Sequence, residues 1–145
     1  MKQSRFLVSM VLAFSVAACA SDSTPSPSKS ENSVTSDATV GSDRATKVDQ
    51  FSFIKPAPNC GEVPGTRAFV TRPPANGVAT IEKTLDFSPY PPGNSSAACN
   101  SRRVPVWVVI YRSKPGFSGA DSFGYDKSFA NGLTIHATIN ITVKR

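Results

Sequence analysis

From Leu133 to Val143 the chain alternates without a break. Leu133, Ile135, Ala137, Ile139, Ile141 and Val143 fall on one side of an extended backbone. Thr134, His136, Thr138, Asn140 and Thr142 fall on the other, which predicts a strand with one buried face. Val104 to Tyr111 is apolar at nearly every position, the pattern of a central strand covered on both faces. Upstream, Phe51–Ile54 predicts a short first strand, and Arg67–Thr71 a second that Pro73-Pro74 ends. Ala75-Asn76-Gly77 is a turn into Val78–Leu85, where Ala79, Ile81 and Leu85 share one face and Glu82 and Thr84 the other. Pro89–Asn100 reads as a Pro/Gly/Asn/Ser loop. Lys114-Pro115-Gly116 turns the chain towards a strand beginning at Ser122–Tyr125, and Asn131-Gly132 marks the hairpin turn into the last strand. No segment shows helical periodicity, and prolines recur throughout. Strands at this spacing, separated by turn signals, predict an all-β sandwich or barrel.

One stretch narrows the choice. Tyr111 followed by Lys114-Pro115-Gly116-Phe117-Ser118-Gly119-Ala120-Asp121-Ser122-Phe123-Gly124-Tyr125 resembles the signature of bacterial Ig-like domains, the cadherin-like tandem domains of large surface proteins. Arg72-Pro73-Pro74-Ala75-Asn76-Gly77-Val78 is similar to the turn that family places upstream, so the likeness runs from Thr71 to Lys144. The resemblance implies an Ig-like antiparallel β-sandwich. Such domains usually come in long arrays and without a cysteine pair, whereas this chain has one copy, a poor stalk. Physically, Gly116 and Gly119 suit backbone angles that other residues resist, Phe117, Phe123 and Tyr125 supply core bulk, and Asp121 can accept backbone N–H bonds in its turn.

The N-terminus has a different character. Lys2 and Arg5 precede an uncharged apolar run, Phe6 to Ala18, too short to span a bilayer at about 20 residues. Val16-Ala17-Ala18-Cys19 then resembles the lipobox of bacterial lipoprotein signal peptides. The resemblance implies that 1–18 is a cleaved signal peptide and that Cys19 is lipidated, carrying a diacylglycerol thioether and an acyl group such as palmitate on its new amino end. Without the lipid, the same residues would suit an ordinary cleaved signal. Ala20 and Ser21 follow Cys19 in place of aspartate, which by resemblance to sorting rules favours the outer membrane over the inner. Residues 19–49 are rich in serine and threonine and lack aromatics, so a lipid-anchored flexible linker is expected there. Such a linker would have a root-mean-square span of roughly 30 Å. The folded domain is expected at 50–145.

Three cysteines divide accordingly. With Cys19 lipidated, Cys60 and Cys99 remain, and in an oxidising compartment a disulfide is the simplest reading. A metal site or a reactive thiol is the alternative. Charge also divides. The 20–49 segment has three basic and five acidic residues, and the 50–145 domain eleven basic and five acidic, a net of +6. A basic domain outside the cytoplasm meets lipid headgroups, phosphorylated glycolipids and peptidoglycan, although the same charge can serve solubility alone.

Catalytic sets are scarce. His136, the single histidine, is placed outward among threonines. Ser118 lies in Gly-Phe-Ser-Gly, without the spacing of a nucleophile elbow. A calcium site at Asp121 would find only Asp126 as a close carboxylate. No enzyme, cofactor or metal is therefore expected. For binding, Arg102, Arg103, Arg112 and Lys114 surround the central strand, and Trp107 and Tyr90 add aromatic surface. Trp107 is expected in the core, with an exposed position beside the arginines as the alternative. The reading is a non-catalytic envelope module held at the membrane by lipid. Its candidate partners are an envelope protein, peptidoglycan or an anionic glycan, and the compartment argues against nucleic acid. An inhibitor of a secreted or periplasmic hydrolase is the competing class.

Overall fold

A computed structural model of the chain describes residues 32–145. The signal segment 1–18, Cys19 and the start of the expected linker lie outside the described residues. Seven strands follow in order: β1 Asn32–Gly41, β2 Thr46–Phe51, β3 Arg67–Arg72, β4 Gly77–Phe87, β5 Arg103–Ser113, β6 Gly119–Ser128 and β7 Thr134–Lys144. A short 3-10 turn, Ala97–Ser101, interrupts the β4–β5 connection. The strands form two sheets packed face to face, ordered β1-β7-β6-β3 and β2-β5-β4, so the expected all-β sandwich is present.

Two expectations need correction at the N-terminal side. The segment 32–49 is not linker, because it supplies β1 and β2. β1 runs parallel to β7 in unbroken register from Asn32 opposite Ile135 to Gly41 opposite Lys144. Most of β1 is exposed, and only Val40 is fully buried. An edge strand gains its hydrogen bonds from one neighbour and needs few apolar side chains, so a Ser/Thr-rich composition does not exclude it. The first strand expected at Phe51–Ile54 is displaced for a related reason. β2 ends at Phe51, and Ile54 forms an isolated bridge to Glu62.

The core between the sheets holds Phe51, Val109, Tyr111, Phe123, Tyr125, Ile139 and Ile141 with their neighbours. The alternation predicted for β7 is present from Ala137 on, with Ala137, Ile139, Ile141 and Val143 all buried, whereas Leu133, expected on the same face, precedes the strand in the hairpin and is exposed. β5 is covered on both faces, as its sequence requires. Val109 and Tyr111 point into the sandwich, whereas Val104, Val106 and Val108 point the other way into a second buried cluster with Ile54, Cys60 and Cys99. Residues 52–66 and 88–102 build the cover over that outer face, and the Cys60–Cys99 disulfide joins them.

Leu85 was expected on the buried face of β4 with Ala79 and Ile81, but it is 56% exposed and Phe87 is 54% exposed. Phe129, just past the end of β6, packs edge-on against Phe51, the register partner of Trp107. Beyond Trp107 the β4–β5 ribbon has no facing sheet. There it curls over the outer side: Gln50 Nε2 donates to the Phe87 carbonyl at 2.6 Å, and Lys47 Nζ lies 3.3 Å from Asp86. Curling turns Leu85 and Phe87 onto a convex, uncovered surface.

Candidate functional site

The strands run between two ends. One end carries short turns: the β1–β2 turn, the start of β4 and the 114–118 turn. At its centre Asp121 Oδ2 accepts from the Tyr111 hydroxyl at 2.9 Å and from Asn76 N at 2.9 Å. Its Oδ1 accepts from Ala75 N at 3.1 Å and Ser122 N at 2.9 Å. The carboxylate thus knits two turns to the core, the structural role its motif suggested. The phenol, buried and donating to a carboxylate, has its pKa pushed up, with desolvation the larger cause. Gly77 completes this end, since a Cβ there would lie 2.6 Å from both the Tyr111 ring and the Arg112 carbonyl.

The opposite end carries the 129–133 hairpin, residues 52–66 and residues 88–102. Phe53 packs on Phe129, with ring centres 5.0 Å apart, and so brings the hairpin against the disulfide-linked cover. Tyr90 is a strut inside that cover. Its hydroxyl donates to the Ser52 carbonyl at 2.9 Å, and its backbone is held by both ends of the Asn100 side-chain amide. Phe53, Lys55, Val63, Tyr90, Asn94 and Ser96 line a shallow hollow of about 360 Å³ beside it.

The basic residues singled out from sequence do not form one patch. Arg102 and Arg103 lie at the disulfide end, where Arg102 Nη1 donates to the Pro58 carbonyl at 3.3 Å and Arg103 pairs in register with Phe87. Arg112 and Lys114 lie at the turn end around a hollow with Asp43, Gly77 and Val78, and Lys114 Nζ donates to the Ala75 carbonyl at 2.7 Å. Nine strand positions separate Arg103 from Arg112, roughly 30 Å at strand rise. Proximity in sequence reads as clustering only when a strand is not extended between the members.

Trp107 is partly buried on the sandwich face, stacked on Phe51 at 6.3 Å between ring centres, with Lys83 Nζ 4.9 Å from the ring centre. The disulfide sits behind the strand, on the opposite face. Trp107 is therefore a lower wall of the core and keeps company with Lys83, not with Arg112.

Three residues unmarked in the sequence reading complete the disulfide end: Lys55, Leu85 and Phe87. Nothing in local alternation announces Leu85 and Phe87 as surface, because the signal lies in where the facing sheet stops. Two acidic groups here are engaged, whereas Glu82, exposed on β4, is in no ion pair among the described residues. Glu62 pairs with Lys83 at 2.7 Å, and Asp86 with Lys47. The Phe87 N–H, and then Lys47, hold the Asp86 carboxyl below its usual range. Lys55, Arg67, Arg102 and Arg103 are exposed and belong to no ion pair among the described residues. The result is an apolar ridge with surplus positive charge, suited to holding an anionic, partly apolar surface.

Chemistry of other kinds has little material. His136 Nδ1 lies 2.8 Å from Asp126 Oδ1 on the outer face of β6–β7, and Ser118 is exposed in its turn. Among the described residues no three His, Cys, Asp or Glu side chains gather as metal ligands. Comparisons with protein-family models, with curated proteins and with solved structures find no match for the chain.

Proposed function

We propose that this chain is an exported lipoprotein whose Cys19-linked lipid holds an Ig-like sandwich at the cell envelope, at the outer membrane in preference to the inner. There it serves as a non-catalytic binding or assembly module. The observation that carries this reading is the Cys60–Cys99 bond closing a buried cluster on the outer face of β5. A stapled secondary core of this kind is stable in an oxidising compartment, which supports a location outside the cytoplasm. Support for the Ig-like reading comes from the strand order, from β1 parallel to the last strand, and from Asp121 bridging the two turns of the motif.

Two measurements test it. Mass spectrometry of the native protein should show the chain starting at an acylated Cys19, and an unmodified or differently cleaved N-terminus removes the anchor. In-cell crosslinking followed by pull-down, with a Cys19→Ala control, should recover an envelope protein or peptidoglycan from the wild type only. Recovery of a secreted hydrolase whose activity the purified protein blocks would replace the assembly role with inhibition.

A further inference from the structure

We propose that the disulfide end of the sandwich is a membrane-facing surface that rests on anionic phospholipid, independently of the acyl anchor. Three observations converge there. First, five of the six large apolar side chains exposed on the described surface, Val34, Phe69, Leu85, Phe87 and Leu133, lie towards this end, and only Val78 lies at the other. Second, Arg103 pairs in register with Phe87 on the Leu85–Phe87 ridge, and Arg102 and Lys55 are exposed at the same end. None of the three is in an ion pair among the described residues, although Arg103, after the Phe87 N–H and Lys47, helps to hold the Asp86 carboxyl below its usual range, while Glu62 and Asp86 pair with Lys83 and Lys47. Long basic side chains beside apolar ones suit the boundary between headgroups and acyl chains, where each cation adds attraction to an anionic leaflet. Third, the chain enters the sandwich at this same end. Asn32 pairs with Ile135 next to the 129–133 hairpin, which packs against the cover that carries Lys55.

The third point rests on the lipoprotein reading above. Twelve residues separate Cys19 from Asn32, a reach of at most roughly 45 Å when fully extended. A domain held by such a lead, attached at its cationic and apolar end, keeps that end within reach of the bilayer. The turn end, with Arg112, Lys114 and the Val78 hollow, then faces away, free for a partner. A lone tether gives position but no orientation, whereas this surface supplies the orientation.

The test uses the chain from Ala20 onward, which contains every described strand and cannot carry the lipid. Its fold is checked by thermal melting, and its binding by flotation with vesicles of phosphatidylcholine alone or mixed with phosphatidylglycerol. Binding is expected only to the anionic vesicles, falling with salt. Arg102→Glu with Arg103→Glu should weaken it about tenfold or more, since each basic group near such a surface contributes appreciably. Leu85→Ser with Phe87→Ser should also weaken it, whereas Arg112→Glu and Val78→Ser, at the far end, should not. Folded protein that ignores anionic vesicles overturns the proposal, as does equal loss from changes at either end. A concentration-dependent dimer abolished by Phe87→Ser overturns it too and gives the ridge to a second copy. Because this chain lacks the anchor, its behaviour is independent of whether Cys19 proves to be acylated.

Discussion

Lys127 Nζ lies 2.9 Å from Asp49 Oδ2 and 4.6 Å from the centre of the Phe51 ring, so one cation joins β6 to β2 across the sandwich. The Tyr125 hydroxyl donates to the same carboxylate oxygen. Asp49 comes from a β-bulge in β2, where the register against β5 slips between Lys47 and Asp49. The bulge aims a carboxylate at a site that the regular alternation would not reach.

Removing Asp49 therefore strands two donors. Asp49→Ala is expected to cost about 2–4 kcal/mol, because a largely enclosed ammonium and a buried phenol lose their acceptor together. Lys127→Met should cost less, since its stem still covers Phe51. Urea unfolding of both single variants and the double variant measures the coupling, and purely additive losses would falsify it.

Alkaline pH should attack the core from within. Burial, and then donation to a carboxylate, raises the Tyr125 pKa above its ordinary 10.0, and the same causes raise Tyr111. Each phenol is more strongly protonated folded than unfolded, so the stability it gives is complete below pH 10 and drains away as pH rises beyond that value. Ultraviolet titration should show Tyr111 and Tyr125 ionising only together with loss of structure. Two silent tyrosines appearing in the intact fold would contradict this.

At the turn end, Asp121→Ala should destabilise by about 2–4 kcal/mol, since four donors lose one acceptor group. Tyr111→Phe removes one of those bonds and should cost about 1–2 kcal/mol. Gly77→Ala, with no polar change at all, should cost about 1–3 kcal/mol by pushing its Cβ into the Tyr111 ring. Denaturant midpoints order the three, and a neutral Gly77→Ala would show that β4 can shift.

Reduction of Cys60–Cys99 is expected to cost about 3.5–4 kcal/mol by loop-closure entropy over a sequence separation of 39. Hydrogen exchange under reducing conditions should rise first across 52–66 and 88–102, and only later in β6 and β7. Uniform acceleration would mean that the two cores open as one.

Much of this architecture is written in the chain, and the parts that are not share a cause. The β7 alternation, the two-faced apolar run of β5, the cysteine pairing and the bonding of Asp121 all express local pattern or simple elimination. β1 was hidden because an edge strand borrows its order from β7 and needs little burial of its own. Leu85 followed the alternation of β4 faithfully, yet surfaced because the opposite sheet ends near Phe129 and the ribbon curls. Arg102, Arg103, Arg112 and Lys114 looked like one cluster because the strand joining them had not been given its length. Each miss concerns where one element ends relative to another, and single-strand periodicity carries no such information.

The parallel registry of β1 with β7 also gives the domain a mechanical direction. A load arriving at Asn32 pulls along the axis of β1, and its ten registered positions resist together in shear. The same load applied from Gly41 would peel the strand away one bond at a time. A domain hung from its N-terminal side is thus strongest along the line in which it would be pulled.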